Sequence, residues 1–444
     1  MKITKRSVAI LLCFALLCSA VAFLSSCRKP KPGVPTTYPY VFVHGLNGFG
    51  DDKIDAVSYW GSTSGVKLMP LLQGEGYECY APSVDPMGSA WDRACELYAQ
   101  LTGGQVDYGA AHSAANGHTD RYGLTYATPL FPDWGKVDAD GNLRKVNLVG
   151  HSFGGATIRL LAALLKDGSA AEREASPDDC SPLFAGEKAD WVFSLTCLAA
   201  PHNGVSILAL VQNIADSVPG RILVGTLQTF GQSWDLSRIL AALEGYGLTS
   251  IGGLALAGLA DSLDDLGKNI TGKTVTDTLH ALTTPDNAYY DLSIQGAAAL
   301  NRLTATVKGC YYFSYPVDGT ADSGGATKRV PTSDMIALLQ IPARIIGDWQ
   351  GSAGDVTIDA TWLPNDGLVN TISATAPFNE PSETVAAETD FAWAQAKPNR
   401  WYVMPTTRGD HGTLIGMGKD EAYLRAVYLP LLAGIDALSK EVTA

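Results

Sequence analysis

Basic residues are scarce in this 444-residue chain: 32 Lys and Arg stand against 45 Asp and Glu, for a formal charge of −13. Apart from Arg28, Lys29 and Lys31 near the start there is no basic run, which makes nucleic acid a poor partner. Cysteine is equally uninformative. Beyond residue 27 only Cys79, Cys95, Cys180, Cys197 and Cys310 remain, an odd number with no CxxC spacing. Neither a disulfide framework nor a cysteine metal site is implied, and a single disulfide could not be chosen from sequence. Past the first 26 residues no apolar run reaches membrane-spanning length; the richest, Ile251 to Leu259, is short and broken by glycine. No internal repeat is visible.

What is present begins at the N-terminus. Lys2, Lys5 and Arg6 precede the apolar stretch Ser7 to Phe23, the build of an export signal. Leu24-Ser25-Ser26-Cys27 is similar to a bacterial lipobox, and that resemblance implies removal of residues 1–26 and lipidation of Cys27. An ordinary cleaved signal with an incidental cysteine is the other reading. Residues 28–37, basic and rich in proline, then read as a stiff tether holding a domain off a membrane. Loss of residues 1–26 removes three cations and no acid, so −13 becomes −16. The expected product is an exported lipoprotein of the cell envelope, with a secreted protein as the alternative.

From Tyr38 to Ala444 the pattern alternates. Buried-strand candidates are Pro39 to Gly45, Tyr77 to Ala81, Val146 to Val149, Val192 to Cys197, Cys310 to Ser314 and Trp401 to Met404. Helical spacing appears between them, at Ala90 to Leu101 and at Ala156 to Lys166 with Gly168 as its stop. Strands alternating with helices predict an α/β domain with a mostly parallel central sheet. The chain is long for one such domain, so insertions are expected at about 85–130 and 205–300. The second carries apolar residues at helical spacing, including Ile207, Leu210, Val211, Ile239, Leu240 and Leu243. A mobile lid and a packed helical cap both fit.

The most informative segment is Gly150-His151-Ser152-Phe153-Gly154, lying between a strand and a helix. By composition alone, about 0.3 accidental G-x-S-x-G matches are expected in a chain of this length, so the context carries the inference. A strand running straight into such a sequence and then a helix is a nucleophile elbow: the turn exposes the serine hydroxyl in front of a helix N-terminus. The backbone N–H of Phe153 would then stabilise a developing oxyanion, with the N–H of Leu46 in the glycine-rich loop after the first strand as its partner. A nucleophilic serine needs a base and the base needs an orienting acid. Of the histidines after Ser152, His411 occupies a loop beyond the last strand and suits the base; His202 and His280 read as structural or surface residues. Asp366, in an Asn-Asp-Gly turn, is the best acid, with Asp355, Asp359 and Asp410 left open.

A second constellation is Asp92 with His112 and His118, whose groups suit zinc. On spacing alone they read as two ordinary loop histidines.

Together these blocks resemble the zinc-containing staphylococcal and bacillar true lipases: Val41 to Gly50, Ser58 to Gly61, Trp91 to Tyr126, Pro201 to Gly204, Trp362 to Ser373, and Asp410-His411. The resemblance runs from about Tyr38 to Leu438, thin through 205–300 and 380–398. It implies an α/β-hydrolase fold with a zinc-loop insertion and a lid insertion, and hydrolysis of carboxylic esters, foremost acylglycerols. It implies Ser152, Asp366 and His411 as nucleophile, acid and base, and Leu46 and Phe153 as oxyanion donors. It implies a structural Zn2+ on Asp92, His112 and His118 with a later aspartate, for which Asp264 is the best match and Asp261 and Asp265 are alternatives. The family's calcium site is not matched, since Thr413 and Gly418 stand where it has carboxylates, so no Ca2+ is expected there. His151 is expected to be a packing residue behind the nucleophile. The remaining readings are an esterase for other substrates, an acyltransferase, or a surface lipoprotein that binds lipid or glycan without catalysis.

Overall fold

The computed structural model describes residues 38–51, 58–62, 64–214, 280–324 and 328–443. The leader, Cys27, the tether and most of the expected lid lie outside them.

Seven strands form one sheet: β1 (Tyr40–Val43), β2 (Cys79–Tyr80), β3 (Val146–His151), β4 (Val192–Leu198), β5 (Tyr311–Tyr315), β6 (Ser382–Thr384) and β7 (Trp401–Val403). Their spatial order is β2-β1-β3-β4-β5-β7-β6, and each neighbouring pair is parallel. A parallel sheet must be covered on both faces, and the alternation of side chains along each strand divides the core accordingly. Val41, Val43, Val146, Leu148, Leu195 and Cys197 belong to one apolar layer. Tyr40, Phe42, Val149, Phe193, Phe313 and Tyr402 belong to the other.

The first layer is closed by α1 (Ala90–Thr102) and α3 (Gly154–Asp167), with the short α2 (Ala110–Asn116) beside them. Helix α3 starts two residues after Ser152 and ends where Gly168 takes φ +64°, a conformation that favours glycine. The second layer is closed by the C-terminal helix α5 (Glu421–Thr443). Its buried Leu424, Tyr428, Leu431, Leu432, Ile435 and Leu438 recur at helical spacing and face the sheet. Between these, α4 (Ser206–Ile214) leads out of the loop after β4.

The predicted strands appear within a residue or two of their expected limits. Strand β6 was not anticipated: Ser-Glu-Thr is exposed throughout, so it carries no apolar alternation, and it holds the sheet edge through its backbone pairing with β7. No described helix is long and apolar enough to cross a membrane.

Candidate active site and metal centre

In open parallel sheets, sites form in the loops at the carboxyl ends of the strands. Here the loops after β1, β3 and β4 meet there. Ser152 follows β3 directly and adopts φ +54°, an uncommon conformation for a residue with a side chain. Both elbow glycines are sterically required. A Cβ on Gly150 would lie 2.5 Å from the Gly154 carbonyl oxygen, and one on Gly154 would lie 2.2 Å from that of Val43. Gly45 is similarly confined, since a Cβ there would approach Ser152 Cβ to 2.7 Å.

Ser152 Oγ lies 2.8 Å from His411 Nε2, and His411 Nδ1 lies 2.8 Å from Asp366 Oδ2. All three residues are buried. The other carboxylate oxygen of Asp366 accepts the backbone N–H groups of Leu368 (3.0 Å) and Val369 (2.7 Å). Its carbonyl accepts the N–H of His411 at 2.9 Å, so the turn fixes both its own carboxylate and the loop bearing His411. The remaining candidates fall away from this line. Asp355 and Asp359 are exposed, the latter capping a short helix through Thr361. Asp410 is buried but engages the N–H groups of Ile336 and Gly412. His280 is exposed beside Thr284, and His202 is buried against Trp401 with ring centroids 4.6 Å apart. Thr413 turns its hydroxyl back to accept the Asp410 N–H at 2.9 Å.

The loop carrying Leu46 is held from several sides. Arg93 is fully buried, and burial draws its pKa down to about 10, so it is still a cation at neutral pH. Its guanidinium donates to the carbonyls of His44, Gly45 and Asp85 and to Thr157 Oγ1, and lies 4.9 Å above the Phe153 ring. His44 is held neutral, its pKa pushed down to about 3 by burial and by Arg93. It accepts the Val84 N–H on Nε2, so Nδ1 carries the proton donated to the Gly45 carbonyl 2.8 Å away. An apolar pocket opens beside Ser152 and His411, lined by Leu46, Val205, Leu208, Tyr289, Leu292 and Leu368. A serine, a base and apolar walls of this kind suit attack on an ester carrying a hydrocarbon chain.

Helix α2, bearing His112, and the turn after it, bearing His118, close on α1. Asp92, His112, His118 and Asp286 each direct one ligand atom to a common centre, with all four atoms within 4.8 Å of one another. His112 Nε2 lies 3.4 Å from Asp92 Oδ1 and 3.0 Å from Asp286 Oδ1, and His118 Nε2 contacts Asp286 Oδ2. Asp92 Oδ1, His112 Nε2 and Asp286 Oδ1 are buried without a hydrogen-bond partner. Buried polar atoms left so, converging with two carboxylates and two imidazoles, fit a tetrahedral dication. Burial disfavours the His112 imidazolium, but the carboxylates of Asp286 and Asp92 outweigh it and bring its pKa to about 9. Burial likewise opposes the Asp286 carboxylate, yet the side chains of His112, Ser89 and His118 beside it take its pKa down to about 2. His112 is oriented from behind: the Glu172 carboxylate accepts the N–H groups of Ala111 and His112, and Trp91 stacks on its ring at 4.8 Å.

Asp264, expected as the fourth ligand, lies with Asp261 and Asp265 outside the described residues; among the described residues the fourth group of the cluster is Asp286. Asp286 sits in Pro285-Asp286-Asn287, a turn whose Asn287 side chain accepts the Tyr290 N–H and starts the helix Ala288–Leu292.

Residues 36–427 match the family model described as the lipase-like, C-terminal domain. The chain belongs to this lipase-like family. Lipase 1 of Staphylococcus aureus strain MRSA252 is 33% identical over 389 residues, covering 86% of this chain and 51% of the relative. This lipase-like chain thus spans about half the length of the curated relatives it matches. Among solved structures, Staphylococcus hyicus lipase superposes with a TM-score of 0.70 at 30% identity, covering 94% of this chain and 100% of that one. Lipase 1 from Pelosinus fermentans gives 0.65 at 33% identity, with 92% and 98% covered. EstA from Clostridium botulinum gives 0.68 at 29%, with 94% and 90% covered. These neighbours share the parallel-sheet α/β-hydrolase architecture of this lipase-like chain.

Proposed function

We propose that the chain is a serine carboxylic-ester hydrolase acting on acylglycerols, with Ser152 as nucleophile, His411 as base and Asp366 as its orienting acid. The observation that carries the reading is the unbroken line from Asp366 Oδ2 through His411 to Ser152 Oγ, each step 2.8 Å. The apolar pocket beside it and the lipase names of the relatives support lipid esters as substrates.

In this mechanism Ser152 Oγ attacks the ester carbonyl carbon as His411 Nε2 takes its proton, and Asp366 steadies the imidazolium. The carbonyl oxygen becomes an oxyanion on the N–H groups of Leu46 and Phe153. The C–O bond to the alcohol then breaks, and His411 protonates the leaving alkoxide. Water, deprotonated by His411, attacks the acyl-enzyme, and collapse of the second oxyanion frees the acid and returns the proton to Ser152. Asp92, His112, His118 and Asp286 would hold Zn2+, which would act as a structural crosslink between α1, α2 with the turn that follows it, and the segment before Ala288. The proposal extends to the leader: export with Cys27 lipidated would tether the domain to a membrane through residues 28–37.

Ser152→Ala is expected to abolish ester turnover while leaving the thermal midpoint unchanged, and the wild-type serine should be labelled by a phosphonate ester. Retained turnover, or failure of the phosphonate to label, would reject the assignment. Rates on long-chain emulsions compared with short soluble esters separate a lipase from an esterase.

A further inference from the structure

His151, beside the nucleophile, does more than fill space. Its Nε2 lies 2.9 Å from the His411 carbonyl oxygen, and its Nδ1 lies 2.6 Å from the Tyr59 hydroxyl. That hydroxyl also accepts the backbone N–H of Gly45, at 2.9 Å. The protonation of this chain follows from its ends. A carbonyl can only accept, so His151 Nε2 carries a hydrogen; in the neutral ring Nδ1 is then an acceptor, and the Tyr59 O–H must donate to it. Burial, with His411 nearby, holds the His151 pKa well below its usual value, and burial pushes the Tyr59 hydroxyl up. Both groups therefore keep these states throughout the neutral range. The result is a one-way line: Gly45 N–H to Tyr59, Tyr59 O–H to His151, His151 N–H to the backbone of His411.

We infer that Tyr59 and His151 are positioning residues that lock the oxyanion loop and the histidine loop into one register through this hydrogen-bonded line. It rests on the assignment of Ser152 and His411 proposed above. Gly45 directly precedes Leu46. Tyr59 anchors the Gly45 N–H, and His44 Nδ1 and Arg93 hold the Gly45 carbonyl, which shares its peptide plane with the Leu46 N–H. Together they set where that N–H points. His411 must meet Ser152 Oγ from the other side. The two loops belong to chain segments more than 360 residues apart by numbering, and the attack requires both in place at once. A misplacement of an ångström in such a pair costs up to about a hundredfold in rate. Tight packing at Gly45, where even a Cβ would meet both Ser152 and Tyr59, leaves the loop no other seat.

The test uses the full domain, with active sites counted by phosphonate titration and rates taken per titrated site on a soluble short-chain ester. Tyr59→Phe removes the hydroxyl and keeps the ring that borders the pocket. It is expected to lower kcat ten- to a hundredfold with KM within twofold, and to weaken a boronic acid transition-state analogue in step with kcat. His151→Gln can keep an N–H for the His411 carbonyl, but its one amide oxygen branches from Cδ and does not occupy the ring Nδ1 position in line with the Tyr59 hydroxyl, so it should lower kcat the same way. Because one line is cut in either case, the double variant should be no slower than the slower single variant. Titrated Tyr59→Phe sites turning over at the wild-type rate, or multiplicative losses in the double variant, would overturn the inference. Should Tyr59→Phe fail to fold, His151→Gln alone decides, by whether kcat falls at constant KM. Failure of wild-type protein to titrate would instead overturn the Ser152 assignment, a separate outcome.

Discussion

Replacing Asp366 by Asn should leave the fold almost untouched and remove nearly all turnover, and the geometry says why. Oδ1 of Asp366 accepts two backbone N–H groups, from Leu368 and Val369, and Oδ2 accepts Nδ1–H of His411. An asparagine has one acceptor oxygen, and the two amides claim it; the NH2 group then faces His411 Nδ1. To accept from it, the imidazole must shift its proton to Nε2, which can no longer take the proton of Ser152 Oγ. A wrong tautomer of this kind costs about 10^4 in kcat in a serine triad, or roughly 5.5 kcal/mol of barrier. Asp366→Ala should lose activity to a similar extent, but it also strands the two backbone donors. Its thermal unfolding should therefore show a loss of about 2–3 kcal/mol that the Asn variant escapes. Initial rates on a soluble ester, beside calorimetry of both variants, provide the comparison. An Asn variant within tenfold of wild type would refute the tautomer argument, as would an Asn variant destabilised as much as Ala.

Two further outcomes are expected. Asp286→Ala should drop bound zinc from about one per chain towards none in metal analysis, and a chelator should lower the melting temperature of the wild type but not of the variant; stoichiometric zinc in Asp286→Ala would contradict the four-residue site. Asp436 lies against Tyr40, and burial, moderated by Tyr40 and Lys440, pushes its pKa up to about 6. With the folded value above the unfolded one, the unfolded chain releases its proton first, so stability falls as pH rises through about 4 to 6 and stays lower above it. Asp436→Asn should therefore stabilise the protein by about 1 kcal/mol more at pH 8 than at pH 4, read as a difference in melting temperatures; an equal gap at both would be the contrary result.

Much of this was legible before any coordinates. Strands β1, β3, β4 and β5 are apolar on both faces, as strands inside a covered parallel sheet must be, and the glycines around Ser152 mark a turn that few other residues could make. Chain order and loop position sufficed to bring forward Asp366 and His411. What stayed hidden were interactions whose partners are remote in sequence. Strand β6 has no buried face to betray it. Asp286 looks like any helix-starting turn until α1 and α2 are brought against it. His151 read as packing and Tyr59 carried no role, because a hydrogen bond between residues 92 positions apart leaves no periodic trace. The lid and Asp264 fall on residues that the structure does not describe.

The seating of α5 has a consequence for how the molecule comes into being. Tyr40, on β1, reaches the Leu432 carbonyl and Asp436 on α5, and Phe42 rests against Tyr428. Trp60 and Tyr77 cover part of this aromatic face, and the rest waits for α5 to fold back onto it. Complete cover of this face is thus a late folding step, since it joins residues 392 and 396 positions apart.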